Sequence, residues 1–379
     1  MRYGSFSILG LIAFLCIFLM CTSSTTLLSQ PQQGPSKGIA YIDGHNHLVG
    51  RYGSPGVVEG QDYEGAAKVA LVFMDQYNIT KMIIMPPPFA PQSPQSYDYT
   101  DLLGVCKKYP ARFAFLGGGG TLNLMIHQTA SEKEISPALK AKFKKTALEI
   151  LDKGALGFGE FAVEHFSLGP NHIYAWAPPD HPLFMLLADI AAEHDVPLDI
   201  HMEAVPEAMP LPAGLRSPPN PKILTPNIAA FERLLAHNRK TRILWSHVGW
   251  CNTGKRTVAL CAGLLGRHLN LYMSFKISPR DSRSECMPIK EGVGLKAEWL
   301  QVIREFPDRF IIGTDQFYVS PRSPMRQIGP RSVEPTNRFF SLLPPDLVLK
   351  VGKANPRRIF NIQCSREGNR CDSRRIPVL

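Results

Sequence analysis

Eight short apolar runs, each followed by a stretch of helical periodicity, set the tightest limit on what this chain can fold into. The runs are Ile39–Asp43, Lys81–Met85, Arg112–Leu116, Ala155–Glu160, Val196–His201, Arg242–His247, Asn270–Phe275 and Arg309–Thr314. Each is rich in Ile, Leu, Val or Phe and bounded by Gly, Pro, Asp or His, which is how a parallel strand buried on both faces reads. Between them, Glu64–Tyr77, Ser136–Lys153, Pro182–His194, Asn227–His237, Val258–His268 and Lys296–Phe306 carry apolar residues three and four apart. A weaker helical stretch near Asp101–Lys108 and a final one, Pro345–Arg357, complete the series. This alternation predicts a single-domain α/β chain folded as a closed (β/α)8 TIM barrel over residues 38–362. An open doubly wound sheet is the competing architecture, and strand count alone does not exclude it.

The length of 379 residues, 44% hydrophobic and 20% charged, accommodates one barrel of about 250 residues or more. The formal charge of +10 raises the question of nucleic acid. However, the basic residues spread over a helix face (Lys140, Lys142, Lys144, Lys145) and gather near the C-terminus, with no aromatic-basic ladder. No nucleic-acid partner is expected. Residues 1–24 read as a secretory signal, with Arg2 ahead of an apolar run from Ile8 to Cys21 and small polar residues after it. The run falls short of the roughly 18–20 residues of a spanning helix, so no stable membrane insertion is expected after cleavage. A lipidated Cys21 and an uncleaved anchor are the variants of this reading. A Ser/Gln/Pro-rich linker (25–37) and a polar basic tail (363–379) flank the barrel, and export to the periplasm or beyond is expected.

Six cysteines follow the leader, too few in so long a chain for a disulfide scaffold. Cys364 and Cys371 flank a polar loop and are placed to pair in an oxidising compartment. Cys106 and Cys261, among apolar helical residues, read as buried thiols. Cys251 and Cys286 make up the six.

The chemistry concentrates at strand ends. In the segment YIDGHNHL, His45 and His47 are two apart, so a strand extended through them turns both imidazoles to one face. Neutral imidazoles at that spacing suit a borderline metal such as zinc, although a bare H-x-H arises often by chance. Its context strengthens it. Glu160 ends the fourth run (GALGFGE), His201 the fifth (VPLDIH) and His247 the sixth (RILWSH), and Asp315 follows the eighth (RFIIGTD). Any one of these is readily a polar strand end, but six in register at the mouth of a barrel form a metal site. Asp43 has the same alternation as His45 and His47 and is expected on their face, more as an orienting group than as a catalytic one. His165, in FAVEHFS, could line the mouth, though lone loop histidines are usually solvated.

The ordered pattern resembles the amidohydrolase superfamily, specifically the subgroup that also contains metal-dependent decarboxylases and hydratases. The likeness runs from about Ile42 to the segment GKANPRRIF, similar to that subgroup's closing Asn-x-x-Arg-x-Phe. It implies His45, His47, His201 and Asp315 as metal ligands, His247 as a further ligand or a substrate-polarising group, and Asp315 as the proton carrier. It implies a divalent metal, zinc foremost, with one ion favoured over two. Glu160 departs from relatives with a carboxylated lysine on the fourth strand and resembles a Gly-x-Gly-Glu bridging or supporting group.

The expected reaction is hydrolysis of a C–N or C–O bond (amide, ester or lactone) in a small molecule, through a metal-activated water. A decarboxylase or hydratase acting on a small carboxylic acid is the alternative, and a silent binding barrel stands third. Lys276 and Trp250 are the candidate substrate contacts, with Arg280, Arg322 and Arg326 in neighbouring loops. An anion clamp at Lys276 or Arg280 would favour the lyase. Two long loops, Glu203 to Pro226 and Gln316 to Asn337, read as pocket walls or lids. The run Gly117–Gly120 permits close backbone approach or positive φ, and no phosphate-loop lysine follows it. Oligomeric state is not legible.

Overall fold

Eight strands pair in a ring: β1 (Tyr41–Val49), β2 (Ile79–Ile84), β3 (Phe113–Phe115, resumed at Gly117–Gly118), β4 (Phe158–His165), β5 (Pro197–Met202), β6 (Arg242–Val248), β7 (Leu271–Phe275) and β8 (Phe310–Ile312). Each is parallel to its sequence neighbour, and Asp43 on β1 pairs Ile312 on β8. Closure runs through β3, whose first part pairs β2 while its second part pairs β4. The barrel is therefore closed by its own hydrogen bonds. The computed structural model describes residues 39–53, 57–93, 96–169, 172–278, 285–290, 294–325, 327, 329–364 and 371–372. The expected leader and linker, Arg280, Arg326 and most of the tail lie outside the described residues.

The helices fall close to where the periodicity puts them. Tyr63–Gln76, Tyr99–Lys108, Pro137–Asp152, Pro182–Glu193, Ile228–His237, Val258–Arg267 and Ala297–Glu305 each follow one strand. Local chemistry starts them: Ser136 accepts from the Leu139 N–H ahead of Pro137, and Thr257 accepts from the Leu260 N–H. One large apolar cluster fills the space between strands and helices, including Phe158, Leu187, Trp245 and Trp299. A second, smaller one (Ile42, Ile83, Leu116, Leu244, Ile311) draws in Ile359, Phe360 and Ile362 from the C-terminal segment. Asn355 fixes that segment by donating from Nδ2 to the carbonyls of Pro307 and Phe310 at 2.9 and 2.8 Å. This gives the GKANPRRIF element a packing role.

Three differences from the sequence reading concern the site. First, β1 runs on to Val49, carrying His45 and His47 within it. Second, Asp43 does not share their face. A Cβ on Gly44 would meet Ile311 and Phe360 of the inner cluster, so residue 44 points inward. The register against β2 then shifts between Asp43 and Asn46, and this irregularity turns His45 inward as well. Third, the stretch after β8 is only partly loop. Gln316–Val319 pairs β1, and a helix begins at Val333. In the other long connection Met209–Pro210 pairs Ile223–Leu224, which packs against Phe166.

Asp43 is the latch between first and last strands. It is fully buried, and its carboxylate accepts from Thr314 N–H at 3.0 Å and Thr314 Oγ1 at 2.6 Å. Burial pushes its pKa up to about 6 despite these donors. In Asp43→Asn the amide offers one acceptor where two donors converge. We expect a loss of about 1–3 kcal/mol in urea unfolding at pH 7; an unchanged midpoint would remove the latch from the fold's stability.

Candidate metal centre

Strands β1, β4, β5, β6 and the turn after β8 deliver six polar side chains to one mouth of the barrel. His45, His47, Glu160, His201 and His247 are buried, and Asp315 is 11% exposed. The structure thus brings together all six residues singled out at strand ends.

The tautomers follow from the partners. His47 Nδ1 lies 2.9 Å from the Met85 carbonyl, which only accepts, so Nδ1 carries the hydrogen. His45 Nδ1 lies 3.2 Å from Asp199 Oδ2, which also accepts from Ser246 Oγ at 2.8 Å. The neutral rings then present bare Nε2 lone pairs to each other at 3.3 Å. Glu160 Oε2 stands 3.4 Å from His45 Nε2 and 3.3 Å from His47 Nε2, and Asp315 Oδ1 stands 3.1 Å from His47 Nε2. With the rings neutral, electron-rich atoms this close fit a cation between them.

Glu160 has a second face. Its Oε1 lies 2.8 Å from His201 Nδ1 and 3.0 Å from His247 Nε2. The carboxylate therefore stands between two pairs of imidazoles, and His45–His47–Glu160 and Glu160–His201–His247 are both groups able to hold a metal ion.

Burial opposes charge throughout, and the partners decide the outcome. For His45 the carboxylates of Asp199 and Glu160 outweigh burial and raise the pKa well above the usual histidine value. For His47 Asp315 and Glu160 do the same. The negative potential that draws protons to these rings also draws a divalent ion. Glu160 is held well below the carboxylate range because His45, His201 and His247 overcome its desolvation. Burial takes His247 down to about 3, so its ring is neutral. Asp315 is also held well below its usual value, since Lys276, His247 and His47 outweigh burial.

The backbone is bent to aim these groups. His247 (φ 65°) and Asp315 (φ 51°) both adopt the left-handed conformation that branched or bulky side chains rarely occupy. Gly313 leaves room for His45, because a Cβ there would sit 2.8 Å from His45 Cβ.

A cavity of about 580 Å³ opens from the centre, with Glu160, His201 and Asp315 on its metal side. Both expected substrate contacts line it. Lys276 Nζ lies 2.6 Å from Asp315 Oδ2 and 4.0 Å above the Trp250 ring. Pro87, Phe89, Ile173 and Phe317 form apolar walls, while Leu168 and Met325, 50% and 57% exposed, form the rim. His165 lines the cavity too. The loop after β8 thus contributes a wall, whereas Glu203 to Pro226 does not line the cavity and instead buttresses the segment after β4. Arg322 stacks on Tyr52 and is not among the lining residues. The glycine run behaves as its composition allows: Gly118 has φ 108°, and a Cβ on Gly119 would meet the Pro86 carbonyl oxygen at 2.6 Å.

Sequence reasoning missed three features. Asp199, which orients His45, lies two residues before His201 on the same strand, a spacing that could have revealed it. His172 lines the cavity from a loop with no periodic signal. Cys251 and Cys286 form a disulfide across 35 residues, tying the residue after Trp250 to the loop beyond β7. Connectivity of that kind is not written in spacing. Cys364 and Cys371, whose pairing the sequence left open, stand opposite each other in a two-strand ladder.

Comparison with known proteins gives one family. The amidohydrolase family model matches residues 42–362. No curated protein matches the chain. Among solved structures, a probable 2-pyrone-4,6-dicarboxylic acid hydrolase from Acinetobacter baumannii is 11% identical, with a TM-score of 0.44 over 85% of this chain and 100% of its own. A PTE-like lactonase variant from Deinococcus radiodurans is 16% identical, with a TM-score of 0.48 over 86% of this chain and 96% of its own. Likenesses this distant carry no argument about activity.

Two outcomes follow from the geometry. Gly313→Ala should displace His45, lowering metal affinity at least about tenfold and stability by about 1–3 kcal/mol. Metal titration and urea unfolding read both, and an alanine variant with unchanged affinity would refute the steric argument. Glu164 on β4 is buried, and desolvation, with the Glu203 charge adding to it, raises its pKa to about 8 although Tyr174 donates to it at 3.0 Å. Between about pH 4.5 and 8 the folded chain then holds a proton that the unfolded chain has released, so stability falls as pH rises through that window. Glu164→Gln should remove this decline, gaining on the order of 4 kcal/mol relative to the parent by pH 8. Parallel pH-dependence curves for parent and variant would count against it.

Proposed function

The chain belongs to the amidohydrolase family and is a metal-dependent hydrolase, and we propose that it uses two zinc ions bridged by Glu160 to cleave an ester, lactone or amide bond of a small, mainly apolar molecule. One observation carries this reading: the two oxygens of Glu160 face separate imidazole pairs, His45 with His47 and His201 with His247. Donors of nitrogen and carboxylate type suit zinc. In this reading His247 and both oxygens of Glu160 would help hold the ions, which favours two ions over the single one first expected.

Ions held there would lower the pKa of a bound water towards neutrality and polarise the carbonyl under attack. Asp315 moves the proton. Its Oδ2 takes it from the attacking water and returns it to the departing oxygen or nitrogen. Lys276, 2.6 Å away, holds that carboxylate ionised, and the Trp250 ring beneath the ammonium fixes its position. Asp199 and the Met85 carbonyl keep His45 and His47 in the tautomer that turns Nε2 to the centre. The apolar walls admit an apolar substrate body and limit competing water. With Lys276 engaged by Asp315 and Trp250, it is not presented as a clamp for a substrate carboxylate, which favours hydrolysis over decarboxylation.

We take the protein to be exported. The apolar leader supports this, and so does the Cys251–Cys286 disulfide, a bond that persists in oxidising compartments.

Elemental analysis of the purified chain should find two equivalents of zinc, and Glu160→Gln should lower this to one or fewer. Asp315→Asn should reduce turnover of esters and lactones by roughly 10²–10⁴-fold. A single equivalent that Glu160→Gln leaves intact would overturn the bridged centre. Full turnover by Asp315→Asn would overturn the proton carrier.

A further inference from the structure

Two histidines on the segment after Glu160 stand outside the ligand set. His165 ends β4, and its ring lies 4.7 Å from that of His201. His172 follows, with its ring 4.6 Å from that of His165 at 73°. Both line the cavity.

Their backbone partners fix opposite tautomers. The Leu168 N–H donates to His172 Nδ1 at 2.9 Å, so that nitrogen is bare and the hydrogen sits on Nε2. His165 Nδ1 lies 3.3 Å from the Ile173 carbonyl, so here Nδ1 carries the hydrogen and the neutral ring presents a bare Nε2. Among the described residues neither Nε2 has a hydrogen-bond partner. Ser167 N–H donates to Asn220 Oδ1 at 2.9 Å, and His172 N–H to the Gly169 carbonyl at 3.1 Å. A donor and an acceptor thus stand side by side, within two ring contacts of the metal ligand His201.

The charges around them narrow the ligand. Lys276 is paired with Asp315, and Arg51 is engaged by the Ser96 carbonyl and Asp101. Among the described residues lining the cavity, no cation is left facing a second anionic group. We propose that His165 and His172 form a hydroxyl-recognition subsite, so that preferred substrates are neutral, mainly apolar esters or lactones with a hydroxyl near the bond cleaved. One oxygen meets both demands, accepting from His172 Nε2–H and donating to His165 Nε2. This rests on the hydrolase reading for the bond cleaved, but not for the hydroxyl itself.

Acetophenone and its ortho, meta and para hydroxy derivatives test it, being neutral, apolar and inert to hydrolysis. Titration calorimetry on the metal-loaded protein should show at least one isomer binding roughly tenfold tighter than acetophenone, the worth of about one well-made hydrogen bond. His172→Phe, at an exposed position, should bring that ratio of Kd values to about one, and His172→Gln, which restores an N–H, should recover part of it. His165→Phe should also abolish it, with thermal unfolding checking that the variant is folded. No preference in the parent, or a preference that survives His172→Phe, would overturn the subsite. Because binding needs no turnover, a preference without hydrolysis of any ester, lactone or amide would sink the catalytic reading alone. Hydrolysis without a preference would sink the subsite alone.

Discussion

Two imidazole nitrogens facing each other at 3.3 Å, each with its hydrogen engaged on the far side of the ring, are the constraint on which the rest of the molecule depends. Left to themselves, such lone pairs repel. The arrangement is tolerable only with positive charge between them, and the two nearby carboxylates deepen that demand. Everything around the pair holds it in place. The irregular register in β1 turns His45 inward, Gly313 leaves it room, and Asp199 and the Met85 carbonyl set the ring faces.

Local cost and global support are distributed accordingly. Left-handed backbone at His247 and Asp315 is unfavourable by itself, on the order of 1–3 kcal/mol each, and persists because a packed barrel over-determines it. These bends bring His247 at the end of β6 and Asp315 after β8 to within 3.9 Å of each other. The packed clusters between strands and helices supply the rigidity, while the bends supply the aim.

The architecture was largely legible in the sequence because buried parallel strands and amphipathic helices leave periodic traces. Leu183, Leu187 and Ile190 mark a helix face regardless of context, and VPLDIH announces both a strand and its functional end. The six groups at the mouth were readable for the same reason, since a barrel converges its strand ends. What was not legible lacks periodicity. Asp43 was assigned to the wrong face because a register shift cannot be read from alternation. His172 sits in a loop whose course is set by Asn220, some fifty residues on. Cys251 and Cys286 meet because two loops happen to be neighbours in space. The helix from Val333 was hidden in a stretch rich in Pro, Ser and Arg, where composition suggests loop and tertiary packing of Phe339 and Phe340 decides otherwise.

The latch between Asp43 and Thr314 joins groups 271 residues apart in the chain. During synthesis His45 and His47 emerge near the beginning and Asp315 near the end, so the mouth stays open until almost the whole barrel has left the ribosome. Contacts of such long separation are slow to form and give nothing to a partial chain. The ligand set is therefore completed only by the residue that follows the final strand, and a chain broken off before that strand lacks both Asp315 and the Thr314 half of the latch.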